Sequence, residues 1–128
     1  MDPRGLQQYK EQSVSTMTQE ELLQLLFSEI TKRLMQAELA LKQEKFELFE
    51  ASVQRAIDII DYLDNTLDHQ YEISASLSRL YDYFTYQLGR AKIGRRNEPV
   101  AEIRGMVKEL QETFKQAQEN VDSGKPSV

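Results

Sequence analysis

Cysteine and tryptophan are absent from this 128-residue sequence, and glycine and proline are scarce. Without cysteine the chain has no disulfide, no thiolate nucleophile and no thiolate-ligated metal site, which is compatible with a reducing compartment. Residues 6–88 contain neither glycine nor proline, whereas β-hairpins and β-sandwiches need such residues in their turns. The sequence therefore predicts an all-α protein.

Excess positive charge and long apolar runs are also missing. The net charge is −5, and nucleic-acid binding depends on an excess of lysine and arginine, so we expect no nucleic-acid partner. Nowhere do about 18 apolar residues follow one another, as a membrane span requires. The opening residues MDPRGLQQYK lack the apolar segment of a cleaved signal. We therefore expect neither membrane insertion nor export through such a signal.

Apolar residues do recur at three- and four-residue spacing, in four stripes that each predict an amphipathic helix. The spacing from Thr18 to Glu21 predicts a capping box at the start of the first helix. The four stripes comprise Leu23, Leu26, Phe27, Ile30, Leu34, Ala37 and Leu41; Phe46, Phe49, Val53, Ala56, Ile57, Ile60, Leu63 and Leu67; Ile73, Leu77, Leu80, Tyr81, Phe84, Leu88 and Ala91; and Val100, Ile103, Val107, Leu110, Phe114, Ala117 and Val121.

The breaks between these helices follow from phase and from two residues. The stripes change direction near residues 43–45 and near residues 69–71, so one continuous helix would wrap its apolar face around itself. Gly94 is suited to end the third helix, and Pro99 to begin the fourth. Similar lengths and short links favour an antiparallel, up-down four-helix bundle. We expect this bundle over residues 18–121, with Ile30, Ile60, Phe84, Leu110 and Phe114 in its core. An N-terminal arm over residues 1–17 and a flexible tail over residues 122–128 complete the chain.

Catalytic motifs are not recognisable in this sequence. His69 is the single histidine, and no glutamate stands three residues before it, as a di-metal bundle would need. We expect His69 to be an ordinary residue at a helix end, unlike the mid-helix histidine of a phosphotransfer bundle. The basic run from Arg90 to Arg96 complements a helix C-terminus, and docking of a partner is the alternative. We therefore expect no enzyme activity and no catalytic, cofactor-binding or metal-binding residue.

Several large apolar residues lie off the four stripes. They are Leu25 and Leu39 on the first helix, Leu48, Ile59 and Tyr62 on the second, and Tyr83 and Tyr86 on the third. Together they could form a surface that receives an amphipathic helix of a partner protein. The alternative is that wide helix faces share these residues with neighbouring helices.

Three blocks of the sequence carry a family resemblance. The first, GLQQYKEQSVSTMTQEELLQLLFSEI, places Tyr9 and Val14 ahead of a leucine-rich helix opening. The second is RAIDIIDYLDNTLD, and the third, EISASLSRLYDYFTYQLGRAKI, contains the Leu-Tyr-Asp-Tyr core at Leu80–Tyr83. Over about residues 5–118 the chain resembles the FliS family of flagellin-specific export chaperones. Phe114 stands where family members commonly carry tryptophan, which keeps a large aromatic side chain in the core.

The resemblance implies a bacterial, cytoplasmic chaperone without cofactors. Its client would be the C-terminal segment of flagellin, which would wrap around the bundle and be held unpolymerised before secretion. The loaded chaperone would then meet FlhA, the membrane protein of the flagellar export gate. By the same resemblance the N-terminal arm, with Leu6, Tyr9 and Val14, would cover part of the client-binding surface.

Two other functional classes stay open from the sequence. A helical adaptor could use the off-stripe residues to form a homodimer, and we expect a monomer or a weak homodimer without client. An enzyme or phosphorelay bundle would require a strongly perturbed His69 or carboxylate pair. We take Leu25, Leu48, Ile59, Tyr62, Tyr83 and Tyr86 as the predicted flagellin-binding residues.

Overall fold

A computed structural model describes residues 16–122, which form four α-helices and, over that range, no β-strand. These helices are α1 (Gln19–Lys42), α2 (Phe46–Asn65), α3 (Ile73–Gly94) and α4 (Asn97–Asp122). Helix α1 packs against α2 and α4, and α3 packs against the same two helices from the other side. The predicted all-α fold with four packed helices is confirmed. Most of the predicted arm and tail, residues 1–15 and 123–128, lies outside the described residues.

Hydrogen bonds between helices fix their directions. The side-chain amides of Gln24 and Gln111 each donate a hydrogen bond to the backbone carbonyl oxygen of the other residue, both at 3.1 Å. Farther along α1, Glu38 accepts a 2.5 Å bond from Arg104 Nε. Residue numbers therefore rise along α1 as they fall along α4, so these two helices are antiparallel.

Helices α2 and α3 are antiparallel as well, as two hydrogen bonds between them show. Ser78 Oγ donates to an Asp64 carboxylate oxygen at 2.7 Å, and Lys92 Nζ donates to Gln54 Oε1 at 2.6 Å. These bonds also show which flank of α2 faces α3. The opposite flank of α2 therefore faces α1.

Both phase-predicted breaks are present, and the capping box is confirmed in part. Thr18 Oγ1 accepts the Glu21 backbone N–H at 3.1 Å, which satisfies one free donor of the first turn. The Glu21 carboxylate then accepts the Thr18 hydroxyl and does not reach back to the Thr18 backbone. After α3, Arg95 and not Gly94 adopts the left-handed conformation, with φ 52°. Pro99 is the third residue of α4, still within the first turn, where its missing N–H costs no helical bond.

The core runs along the axis of the bundle. Ile30, Ile60 and Phe84 are buried as predicted, whereas Leu110 and Phe114 are partly buried against the core. Two stripe residues were predicted wrongly: Ile73 is 60% exposed and Val121 is 58% exposed. Both stand at the end of the bundle where α3 begins and α4 ends, beyond the last complete layer of the core.

Candidate partner-binding groove

An apolar groove opens at one end of the bundle, where the ends of all four helices meet. We call it the end groove; its volume is about 780 Å³. Its apolar walls come from every helix and from the residues next to them: Met17, Leu23, Leu63, Leu67, Leu77, Tyr81, Phe114, Ala117 and Val121. The space is comparable to sites that bind small ligands or side chains of a partner.

This groove is the unfilled end of the core. Phe114 stacks against Phe27 with ring centroids 5.8 Å apart, and this pair lies between the buried core and the groove. Leu77 and Tyr81 are only 9% and 2% exposed, although they line the open space. The apolar stripes therefore continue past the last layer in which four helices fill the axis.

The end groove has an acidic rim. Glu20, Glu21, Asp68 and Glu119 contribute carboxylates, and Lys115 contributes one ammonium group. In the part of the chain that the structure describes, none of these five side chains forms an ion pair. The rim is therefore negatively charged around an apolar interior.

Negative charge continues along the seam between α2 and α3. Asp58, Asp61, Asp64 and Asp68 follow at three- and four-residue spacing, and Asp82 faces them from α3. Partial burial, followed by the carboxylates of Asp58, Asp64 and Asp82, raises the pKa of Asp61 above its ordinary value. These like charges repel one another in the free protein.

Tyr81 is the buried polar residue of the groove wall. Burial, with a smaller contribution from the Asp64 carboxylate, raises the pKa of its phenol to about 12. Tyr81 therefore stays neutral near pH 7 and presents a hydroxyl that can donate or accept one hydrogen bond.

The sequence-predicted binding residues do not line this groove. Leu25 is half-buried, and Leu48 and Tyr62 are 41% and 49% exposed. Helical periodicity places Leu48 and Tyr62 on the flank of α2 that faces α1, opposite the flank that bonds α3. They therefore border the α1–α2 seam.

For Ile59 the prediction of an exposed, off-core position is wrong. Ile59 is 8% exposed and belongs to the core cluster. Helical periodicity places it on the flank of α2 that faces α1. Ala40 on α1 and Ser52 on α2 are small residues that are also buried. The alternative given by the sequence, a wide helix face shared with a neighbour, is correct at this position.

Tyr83 and Tyr86 lie on another side of the molecule. The Tyr83 hydroxyl bonds the Glu102 carboxylate of α4, which raises the pKa of Tyr83, and the Tyr83 side chain is 39% exposed. Tyr86 is 63% exposed, with the Arg90 guanidinium 5.8 Å from its ring centroid. The six predicted residues therefore do not form one site. The end groove was missed because its wall consists of residues that the stripes assign to the core.

Comparison with known proteins identifies the family of this chain. The sequence model described as "Flagellar protein FliS" matches residues 3–121.

The chain belongs to the FliS family.

Two relatives carry the name "Flagellar secretion chaperone FliS". The protein of Bacillus subtilis (strain 168) is 32% identical over 109 residues, which cover 85% of this chain and 82% of that protein. The protein of Salmonella typhimurium (strain LT2) is 30% identical over 109 residues, covering 83% of this chain and 81% of that protein. The resemblance found in the three sequence blocks is confirmed, and the family is one of flagellar secretion chaperones.

Three further observations describe this FliS-family chain. None of the helices within residues 16–122 has the length and apolarity needed to cross a bilayer. Over the same residues no three His, Asp or Glu side chains form a group that could hold a metal ion. His69 lies exposed in the loop between α2 and α3, and not at the end of a helix as predicted.

Proposed function

We propose that this chain is a cytoplasmic, non-catalytic chaperone that binds the C-terminal segment of flagellin and keeps it unpolymerised before secretion. The observation that carries the proposal is an open apolar groove of about 780 Å³ at the end of a FliS-family bundle. In this proposal the loaded chaperone then delivers flagellin to FlhA at the export gate.

The physical basis is binding of an amphipathic segment to a preformed surface. Concave apolar pockets of roughly 300–1,000 Å³ are typical of sites that receive a ligand or the side chains of a partner. An amphipathic helix can place apolar residues at three- and four-residue spacing into such a groove. Burial of those residues offsets the entropy lost when a disordered segment becomes ordered, so binding and release need no ATP.

The remaining predicted contacts fit a client that extends beyond the groove. Leu25, Leu48 and Tyr62 would receive a second piece of the flagellin segment along the α1–α2 seam. Tyr83 and Tyr86, on the α3–α4 side, would require the segment to continue around the bundle. We retain these five residues as proposed secondary contacts.

We further propose that the N-terminal arm is a competing lid. Its predicted contact residues, Leu6, Tyr9 and Val14, lie outside the described residues. Met17, close to the first described residue, lines the end groove. The arm therefore joins the bundle at the rim of the groove that it would cover.

Titration calorimetry with a flagellin C-terminal peptide tests the proposed function. The groove variant carries Leu67→Asn and Val121→Asn, two wall positions of the end groove. We expect affinity to fall at least about tenfold, ~1.4 kcal/mol, because apolar contacts are lost. The matched control carries Leu39→Asn and Ile93→Asn, two exposed aliphatic positions that do not line the groove.

The control should retain full affinity, and circular dichroism should show both variants folded. A flagellin fragment without its C-terminal segment should not bind. The proposal would be wrong if the intact chain did not bind the peptide, or if both double variants lost affinity equally. Light scattering would report a client-free homodimer that covers the groove, which is the outcome expected of a helical adaptor.

A further inference from the structure

The two halves of the bundle carry opposite charge. The half around the end groove, residues 16–30, 56–83 and 110–122, contains twelve carboxylate side chains and only two cationic ones, Arg79 and Lys115. The other half, residues 31–55 and 84–109, contains eleven cationic side chains and seven carboxylates. Over residues 16–122 the negative charge is therefore concentrated in the half where the apolar groove opens.

Several cationic side chains of the other half have partners within that half. Arg104 pairs with Glu38, Arg96 pairs with Glu98, and the Arg95 guanidinium lies 3.9 Å from the Phe46 ring centroid. In the groove half, by contrast, Glu29 pairs with Arg33, which lies just across the boundary in the other half. Within residues 16–122 the carboxylates of the groove rim have no cationic partner.

Apolar and acidic features therefore meet at one site. The groove supplies apolar walls, its rim supplies Glu20, Glu21, Asp68 and Glu119, and the α2–α3 seam extends the negative charge through Asp64 and Asp61. A segment that is apolar on one face and acidic on the other would meet repulsion here. A segment with lysine or arginine beside its apolar anchors would neutralise the rim.

We propose that the end groove selects a cationic amphipathic segment, whose apolar anchors fill the groove while its Lys or Arg side chains pair with the acidic rim. This inference rests on the proposed function and specifies which part of the flagellin segment occupies the groove. The rim charges act in addition to apolar burial. They speed encounter and discriminate against acidic segments, and each exposed pair adds a small amount of affinity.

Two double variants with the same change in net charge test this selection. The rim variant carries Glu20→Gln and Glu119→Gln, which keep the side-chain shape and remove two rim charges. The control carries Glu47→Gln and Glu50→Gln, two exposed acidic positions on α2 in the opposite half of the bundle. The probe is the flagellin C-terminal peptide, compared with a copy in which every Lys and Arg is replaced by Gln.

At ~0.1 M salt we expect the rim variant to bind the peptide about threefold more weakly than the intact chain. The control should bind as the intact chain does. At ~1 M salt the Debye length falls from about 10 Å to about 3 Å, so the affinities of the rim variant and the intact chain should converge. The Gln-substituted peptide should bind both proteins equally.

Equal affinities of the rim variant and the intact chain at ~0.1 M salt would overturn the inference while leaving the proposed function standing. The same conclusion would follow if the control lost as much affinity as the rim variant, since net charge and not the rim would then be responsible. If the peptide did not bind the intact chain at any salt concentration, the proposed function and the inference would both be wrong.

Discussion

Two aliphatic residues of α2 show how the burial of a single position determines the effect of a substitution on stability. Leu48 is 41% exposed at the α1–α2 seam, whereas Ile59 is 8% exposed beneath α1. We expect Leu48→Lys to change the free energy of unfolding by no more than about 0.5 kcal/mol. Ile59→Lys should cost at least ~3 kcal/mol, because it buries an unpaired ammonium group. Urea unfolding followed by circular dichroism measures both values.

The same pair tests the proposed secondary contact at the seam. If Leu48 touches the client, Leu48→Lys should weaken flagellin binding while the protein remains folded. A large loss of stability for Leu48→Lys would show that it belongs to the core. Unchanged stability for Ile59→Lys would contradict its position beneath α1.

These two residues also show what the sequence could not predict. Helical periodicity gives the angle between Leu48, Ile59 and Ile60, but it does not say which neighbouring helix covers which flank. Coverage of Ile59 depends on how closely a neighbouring helix approaches, and the periodicity of one helix does not contain that distance. Periodicity alone therefore identifies the centre of a buried face reliably and its edges poorly.

At the scale of the helices, the turn between α1 and α2 shows how the chain forms a break that the apolar stripes predicted. The chain reverses over three residues, and Glu44 adopts the left-handed conformation with φ 58°. Lys45 N–H then donates to the Ala40 carbonyl oxygen at 2.8 Å, which satisfies an acceptor at the end of α1. A side chain in this conformation is disfavoured relative to glycine.

We therefore expect Glu44→Gly to raise the melting temperature, with a gain of about 0.5–1 kcal/mol in the free energy of unfolding. The matched control is Glu50→Gly, the same substitution six residues later in regular helix, which should cost about 1 kcal/mol. Thermal unfolding followed by circular dichroism compares the stabilities of the two variants. A loss of stability with Glu44→Gly would mean that the glutamate side chain stabilises the turn by a contact of its own.

The number of helices and their breaks were predictable because each depends on local sequence. Thr18 and the phase changes near residues 43–45 and 69–71 act within one or two helical turns. The end groove depends on four helices together, since Leu63, Leu77 and Phe114 become groove wall only where the core layers stop. The apolar stripe of α4 continues to Val121 in the last turn of the helix, and this is the sequence signal that could have indicated the groove.

At the scale of the whole molecule, the groove gathers features from every part of the chain. Apolar walls come from four helices, the acidic rim lies at the same end, and Met17 brings the N-terminal arm to the rim. A client segment and the arm would therefore compete for one surface. The proposed chaperone activity then depends on how much of the time the arm occupies the groove.

Deletion of residues 1–15 measures that competition. A tethered arm has an effective concentration near ~1 mM, and a client sees its affinity reduced by the occupied fraction. Burying one Leu and one Tyr side chain is worth a few kcal/mol, and ordering about ten residues removes most of that gain. We therefore expect marginal docking, with flagellin affinity unchanged or several-fold higher after deletion. Titration calorimetry with the flagellin C-terminal peptide gives this ratio directly.

The full-length variant Leu6→Ala with Tyr9→Ala should reproduce the deletion, because it removes the arm's two largest apolar side chains. Its matched control, Gln7→Ala with Gln8→Ala, changes two polar neighbours in the same arm and should bind as the intact chain does. A clear loss of flagellin affinity in the deletion and in the Leu6/Tyr9 variant, but not in the control, would contradict the competing lid. The arm would then contact the client directly, and its apolar residues would form part of the binding surface.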